Sequence, residues 1–305
     1  MQKTPMKSRT KDAIFCSLIL LYPLIHFSIF YIYVNFSSFA MAFQYYKDGE
    51  YIFDWGKSNF SLIKYYFEVD PIIINSLKNS AIMYVCALLI GEPLSLLFSY
   101  VIYKKVAGTK FFKVVLFMPT IISALVMSLI YKYFMDTALP ELWYSITKKP
   151  IQGLFTNYKT VFEVVLFYNL FLGFGPKILI YSSTMSGINE SVVESAQLDG
   201  ITFFRELWFI TIPMIFPTIT TYLVASVATF FTNQMGLFNF FGHDARTEVF
   251  TLGFYMYIKT QIANANATYA DFTYLSALGL VMSAIAIPTT IVLKKLLERY
   301  GPRTE

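Results

Sequence analysis

Residues 189–213 read NESVVESAQLDGITFFRELWFITIP, and Pro217 follows four residues later. Ser191-x-x-Glu194 has the form of a capping box, which predicts the start of a short helix. Asp199-Gly200 ends it, because glycine tolerates the left-handed conformation that closes a helix. Thr202 is placed to cap a second helix. That helix continues into an apolar run of about 208–232. The product is a helix–Gly–helix elbow that presents a small side chain, Ala196, between the carboxylates of Glu194 and Asp199.

The rest of the chain explains why such an elbow would sit at a membrane. Of 305 residues, 56% are hydrophobic, 19% aromatic and only 14% charged. A soluble domain carries roughly 25% charged residues. The mean hydropathy is +0.54. These values exclude a disordered chain, a nucleic-acid-binding domain and an ordinary cytosolic enzyme. The net charge of +5 comes from short basic clusters beside apolar runs rather than from one basic face.

A bilayer core needs about 20 apolar residues in a helix. Six runs qualify, at about 13–34, 78–102, 113–134, 161–183, 208–232 and 273–294, with the elbow segment 186–206 between the fourth and fifth. The expected fold is an all-α membrane protein with six transmembrane helices in a single domain over 1–305. The second run contains Glu92-Pro93. The fourth is interrupted by Gly173-Phe174-Gly175-Pro176-Lys177. The first is too long for a cleaved signal segment and is expected to be retained. Basic residues favour the cytoplasmic side. Lys3, Lys7, Arg9 and Lys11, then Lys104, Lys105, Lys110 and Lys113, then Arg205, then Lys294, Lys295, Arg299 and Arg303 fall on one side. The other side holds fewer in longer, aromatic loops, several of which are expected to lie along the membrane surface. Both termini are therefore expected in the cytoplasm of a multi-pass cell-membrane protein.

The elbow resembles the EAA loop of ABC importer permeases, whose pattern is E-A-A, three residues, G, nine residues, I, one residue, L-P. Glu194, Ala196, Gly200, Ile210 and Pro213 match in register, while Ser195 replaces an Ala and Ile212 a Leu. Asn59-Phe60, Asn75-Ser76-Leu77 and Phe117-Met118-Pro119 are similar to the binding-protein-dependent, sugar-type subfamily, whose layout fits residues 55–294. The resemblance implies a type I importer permease fold in which the elbow is a coupling helix that docks on a cytoplasmic ATPase. It also implies the partners: a second permease chain, two ATPase subunits that bind ATP and Mg, an external solute-binding protein, and a carbohydrate, of the oligosaccharide class, as cargo. By that analogy Glu194 pairs with an ATPase arginine. Its other reading is completion of its own capping box, and the two are compatible.

No catalytic group is read in this chain. No G-x-x-x-x-G-K-[ST] phosphate loop is present, and Gly173-x-Gly175-Pro176-Lys177 has the wrong spacing. His26 and His243 form no metal pair. No G-x-S-x-G nucleophile turn occurs. Cys16 and Cys86 lie in apolar runs and offer no disulfide or metal spacing, and Cys16 lacks the context of a lipidated cysteine. No cofactor is expected on the chain itself. The sequons at Asn35, Asn59, Asn189 and Asn266 are read as chance matches.

Thr218, Tyr222, Ser226, Thr229 and Asn233 form a polar stripe on one side of the fifth span. The stripe reads either as a pore wall suited to an uncharged polyhydroxy solute or as hydroxyls bonding their own helix. Glu92 is the mid-span carboxylate. It costs roughly 2.5–3.5 kcal/mol at a bilayer centre on insertion scales, so it is expected to be neutral, paired or facing water. Lys132 and Lys177 are read as snorkelling rather than as its partners. Glu92 and Asn169 complete the candidate substrate pathway. Gly279-x-x-x-Ser283 reads as helix packing. The competing functional class is a stand-alone ion-coupled secondary transporter. A single mid-span carboxylate argues against it, and the polar stripe argues against a receptor without transport.

Overall fold

The fold is described from a computed structural model, whose described residues are 6–266 and 269–302, with side chains from 11 to 266 and from 271 to 302. The basic residues Lys3, Lys7, Arg9 and Arg303 of the charge argument lie outside the described side chains. The chain is overwhelmingly helical. Five helices are long and apolar enough to cross a membrane: α1 (Lys11–Ala42), α3 (Pro71–Tyr103), α6 (Val161–Met185), α8 (Phe203–Thr232) and the Asp271–Tyr300 part of α11 (Tyr269–Tyr300). A sixth candidate is a pair, α4 (Thr109–Ile121) and α5 (Ala124–Thr147), bent by 108°.

Contacts divide the chain into two compact units, Met1–Tyr66 with Thr260–Val281 and Phe67–Lys259 with Met282–Glu305. In α1 no side chain from Lys11 to Phe39 is buried. An apolar helix exposed on all sides is solvated by lipid and adds no packing to a common core.

The first unit contains a hairpin absent from the sequence expectation. Strands β1 (Gln44–Lys47) and β2 (Glu50–Phe53) pair antiparallel, with Tyr46 opposite Tyr51. Asp48 and Gly49 turn the chain with φ of 52° and 93°, the positive values that a two-residue type I′ hairpin needs. Asp54 then anchors the start of α2 (Lys57–Val69), accepting from the backbone N–H of Gly56 at 2.8 Å and Ser58 at 2.9 Å. Asn59 is fully buried, and its amide donates to the carbonyls of Ala42 and Gln44 while accepting from Thr273. Asn59 therefore latches α1, β1 and α11 in this unit.

In the second unit Asp70 caps α3 through the N–H of Ile72, with Pro71 at the first helical position. Asn75 and Asn79 donate to the carbonyls of Glu248 and Phe250, and Ser80 accepts from Leu252. These bonds hold the single 3-10 turn Thr247–Val249 and the residues that lead from it into α10 (Leu252–Asn266). Tyr131, Phe155, Tyr168 and Phe240, the last on the short helix α9 (Leu237–Phe241), form an aromatic cluster near the start of α6.

Three π-turns, Ala87–Gly91, Phe134–Ala138 and Leu207–Thr211, each end two residues before a proline: Pro93, Pro140 and Pro213. A proline inside a helix removes an N–H and crowds the carbonyl four residues back. Widening that turn relieves the clash without ending the helix.

Two span expectations change. The run 113–134 is not one helix, because Ile122 and Ser123 are extended, with ψ of 142° and 133°. β-branched Ile121 and Ile122 are weak helix formers, and Ser123 starts the next helix by accepting from Met127. Conversely, the expected break at Gly173–Lys177 is absent, and α6 runs unbroken through Pro176. Gly175 is instead a crossing point: a Cβ there would lie 2.6 Å from Thr120 Cγ2 and 3.1 Å from the Leu116 carbonyl of α4. Gly175→Ala should therefore cost about 1–3 kcal/mol through overpacking. Adding Thr120→Ser removes the nearest methyl and should recover part of that loss, measured as thermal unfolding in detergent.

Candidate functional site

The elbow consists of α7 (Glu190–Leu198), a glycine turn, and the first turn of α8. Its N-cap is Asn189, not the expected Ser191. The Asn189 Oδ1 accepts from the Ser191 N–H at 3.1 Å and from the Ser191 hydroxyl at 2.9 Å. Asparagine is at least as good a cap as serine, and taking that position leaves Ser191 inside the helix. Glu194 is thus freed from the capping box and is exposed. The other end is a Schellman closure. Gly200 donates to the Gln197 carbonyl at 3.0 Å and Ile201 to the Ala196 carbonyl at 3.1 Å, with Gly200 at φ 76°. Ser195, Asp199 and Gly200 are exposed and Ala196 is half-buried. Leu198, which sequence reasoning passed over, is 89% exposed at the tip. Its signal was an apolar side chain beside Asp199-Gly200, where the helix has already ended.

Ile210 and Pro213 are half-buried in the helix that leaves the elbow, α8. In its first turn Glu206 is 3% exposed and forms an ion pair with Lys104 at the end of α3. Tyr100, one turn earlier in α3, is fully buried and donates from its hydroxyl to the Phe203 carbonyl at 3.1 Å. Tyr100, Tyr181, Met185, Leu207, Ile215 and Ile219 form the core that joins α3, α6 and α8.

Above this core lies a cavity of about 400 Å³. Glu92, Asn169, Tyr222, Ser226, Thr229 and Asn233 line it, together with Tyr84, Phe174 and Lys177. Six of the seven expected pathway residues therefore meet in one place. Thr218 does not. It lines a separate groove with Ile180, Pro217 and Thr221. The Tyr222 ring borders both spaces and rests against Tyr181, with centroids 5.2 Å apart, so Thr218 lies one turn below the cavity.

Glu92 is paired. Lys177 forms an ion pair with its Oε2, and the Tyr181 hydroxyl donates to its Oε1. This corrects the expectation that Lys177 snorkels. The uninterrupted α6 puts Lys177 and Tyr181 one turn apart on the same face, a spacing visible in the sequence once the helix is read as continuous. Lys132 does not snorkel either, donating to the Phe240 carbonyl at 3.1 Å. Asn169 donates to the carbonyls of Val165 and Met235, each at 2.9 Å. Ser226 and Thr229 donate back to the carbonyls of Leu223 and Ser226, and Asn233 accepts from the Met235 N–H at 2.8 Å. Self-bonding and cavity lining thus coexist in the stripe. The hydroxyl protons are spent on the helix while the same residues border open space.

Residues 81–304 match the family described as the binding-protein-dependent transport system inner membrane component. The chain belongs to this family. Among relatives of this permease chain is the multiple sugar-binding transport system permease protein MsmF of Streptococcus mutans, 22% identical over 284 residues, covering 92% of this chain and 94% of that one. Another is the arabinooligosaccharides transport system permease protein AraP of Bacillus subtilis, 23% identical over 276 residues, covering 88% and 84%. Among solved structures, a bacterial alginate ABC transporter in complex with alginate pentasaccharide-bound periplasmic protein has a chain with the same fold. Its TM-score is 0.78 at 19% identity, with 96% of each chain covered. The family match begins beyond α1 and the hairpin, whereas the structural likeness takes in nearly the whole permease.

Removing one partner of a buried ion pair typically costs about 3–5 kcal/mol, because it strands the other charge. Lys177→Met should lower the stability of the detergent-solubilised protein by about that amount. Glu92→Gln combined with Lys177→Met should lie closer to the parent in the same thermal melt.

Proposed function

We propose that this chain is a membrane-spanning, non-catalytic subunit of an ATP-driven saccharide importer. It would pair with a second permease chain and two ATPase subunits carrying ATP and Mg, and would receive its cargo from an external solute-binding protein. The observation that carries this reading is the elbow: a short, rigidly closed helix with exposed side chains, in the register of the family's coupling loop. Glu194 is exposed and free of its capping role, which leaves its carboxylate available to an ATPase arginine. Leu198 adds an apolar knob for a cleft on that subunit. Half-buried Ala196 keeps the outer face low, and Gly200 sets the angle into α8. The basic residues near α3 and α11 favour a cytoplasmic elbow and cytoplasmic termini.

A saccharide is supported by what the related permeases are named for and by the cavity itself. Its wall combines aromatic rings, hydroxyls and amides, and its two charges, Glu92 and Lys177, cancel each other. Such a wall suits an uncharged polyhydroxy solute. Solute uptake should collapse on ATP depletion and survive an uncoupler that dissipates ion gradients. Uptake with the opposite sensitivity would overturn the reading.

Gly200→Pro is incompatible with φ 76° and removes the N–H that closes the helix. That variant should insert in the membrane but lose both uptake and co-purification of the ATPase. Gly200→Ala meets open space at its Cβ and costs only the left-handed strain, about 1–2 kcal/mol, so it should retain association.

A further inference from the structure

We propose that Lys104 and Glu206 are positioning residues that make α3 travel with the elbow, so that motion of α7 reaches the cavity through Glu92. The inference rests on the coupling reading above and adds the route within the chain. The pair sits where the route must begin. Glu206 is in the first turn of α8, directly after the elbow, and Lys104 is the C-cap residue that follows Tyr103 at the end of α3. Each charge also matches its helix dipole, anion at an N-terminus and cation at a C-terminus. The Lys104 ammonium lies over the rings of Tyr100 and Tyr103, at 5.8 and 5.6 Å from their centroids. The Tyr100 ring lies 4.6 Å from that of Phe203. Lys104 is about 18 Å along one helix from Glu92, at 1.5 Å per residue, and Glu92 lines the cavity.

The Tyr100 hydrogen bond to Phe203 and the ring contact beside it already hold α3 against the start of α8, but apolar ring surfaces can slide past one another. This ion pair resists being pulled apart, because separation strands the buried carboxylate of Glu206 without its cation. Alternating access needs motion in both directions. The pair therefore supplies what the surrounding aromatic contacts lack.

The test uses the complete reconstituted transporter with Cys16 and Cys86 replaced by Ala and with Ser226→Cys as a reporter in the cavity wall. The readout is the reporter's labelling rate by a water-soluble methanethiosulfonate reagent, with and without trapping by ATP and vanadate. With the native pair, trapping should change the rate at least tenfold. In Lys104→Met/Glu206→Met, an apolar replacement chosen to preserve packing, the complex should assemble and trap nucleotide while the rate ratio falls to near one. The charge reversal Lys104→Glu/Glu206→Lys should restore part of the ratio. A full ratio in the double Met variant would overturn the proposal, as would failure of every pair variant to assemble, which would make the pair a folding element only. No response with the native pair would instead count against the coupling reading itself.

Discussion

A carboxylate buried among apolar side chains needs a cation and hydrogen-bond donors, and the second unit is organised around two such carboxylates. Glu92 at 6% exposure joins α3 to α6 through Lys177 and Tyr181. Glu206 joins α8 to α3 through Lys104. Lipid offers helices no hydrophobic reason to associate, so close packing and polar ties must hold them. Here the two ties share α3, and the core of Tyr100, Tyr181 and Met185 lies between them. The helix that borders the cavity is thus the helix fixed to the start of α8. The crossing of α4 over Gly175 contributes the complementary device, backbone approach without any polar group.

Backbone satisfaction imposes the second constraint. A backbone group that faces lipid finds no water there, so the bond a proline removes is compensated by nearby protein groups or by a local change of the helix. The π-turns before Pro93 and Pro213 do this in the two helices that line the cavity on either side. The turn before Pro93 also ends at Gly91, immediately before Glu92, and so helps set where that carboxylate emerges. Hydroxyls in α8 bond carbonyls three or four residues back, from Thr221 through Thr232. That habit leaves polar residues along a span with their protons already committed.

Much of this was legible in the sequence, for a physical reason. Hydropathy over about 20 residues measures transfer into lipid, and five of the six apolar runs correspond to long helices because no other regular open structure satisfies its backbone there. The elbow was legible because helix ends are set by local side chains, although Asn189 rather than Ser191 took the cap. The polar stripe was legible from its spacing. What escaped depends on tertiary proximity. The pairing of Glu92 with Lys177 needs α3 and α6 side by side, and an assumed break at Gly173–Lys177 hid the shared face of Lys177 and Tyr181. Glu206 looked like one more loop carboxylate because its burial comes from Tyr100 and Lys104, about a hundred residues earlier. The bend at Ile122–Ser123 escaped because both residues are apolar or small enough to pass in a hydropathy window. Asp48-Gly49 is a turn signal flanked by tyrosines, but a short polar hairpin leaves no trace in hydropathy over about 20 residues.

The elbow and the cavity also differ in how they are built, and the difference bears on what each can do. The elbow's shape is fixed within its own residues: the Asn189 cap, the Schellman bonds and Gly200 in the left-handed region. A segment closed locally keeps its form when its surroundings move. The cavity has no such autonomy. Its wall is assembled from α3, α6 and α8, and its two charges come from different helices. Any displacement of α3 against α6 changes the Glu92–Lys177 separation and with it the electrostatics of the space. Separating that pair would expose a lysine and a carboxylate to whatever occupies the cavity. A charge-cancelled wall therefore depends on α3 and α6 moving together, and the buried core that Tyr100, Tyr181 and Met185 share between the two ion pairs favours such joint motion.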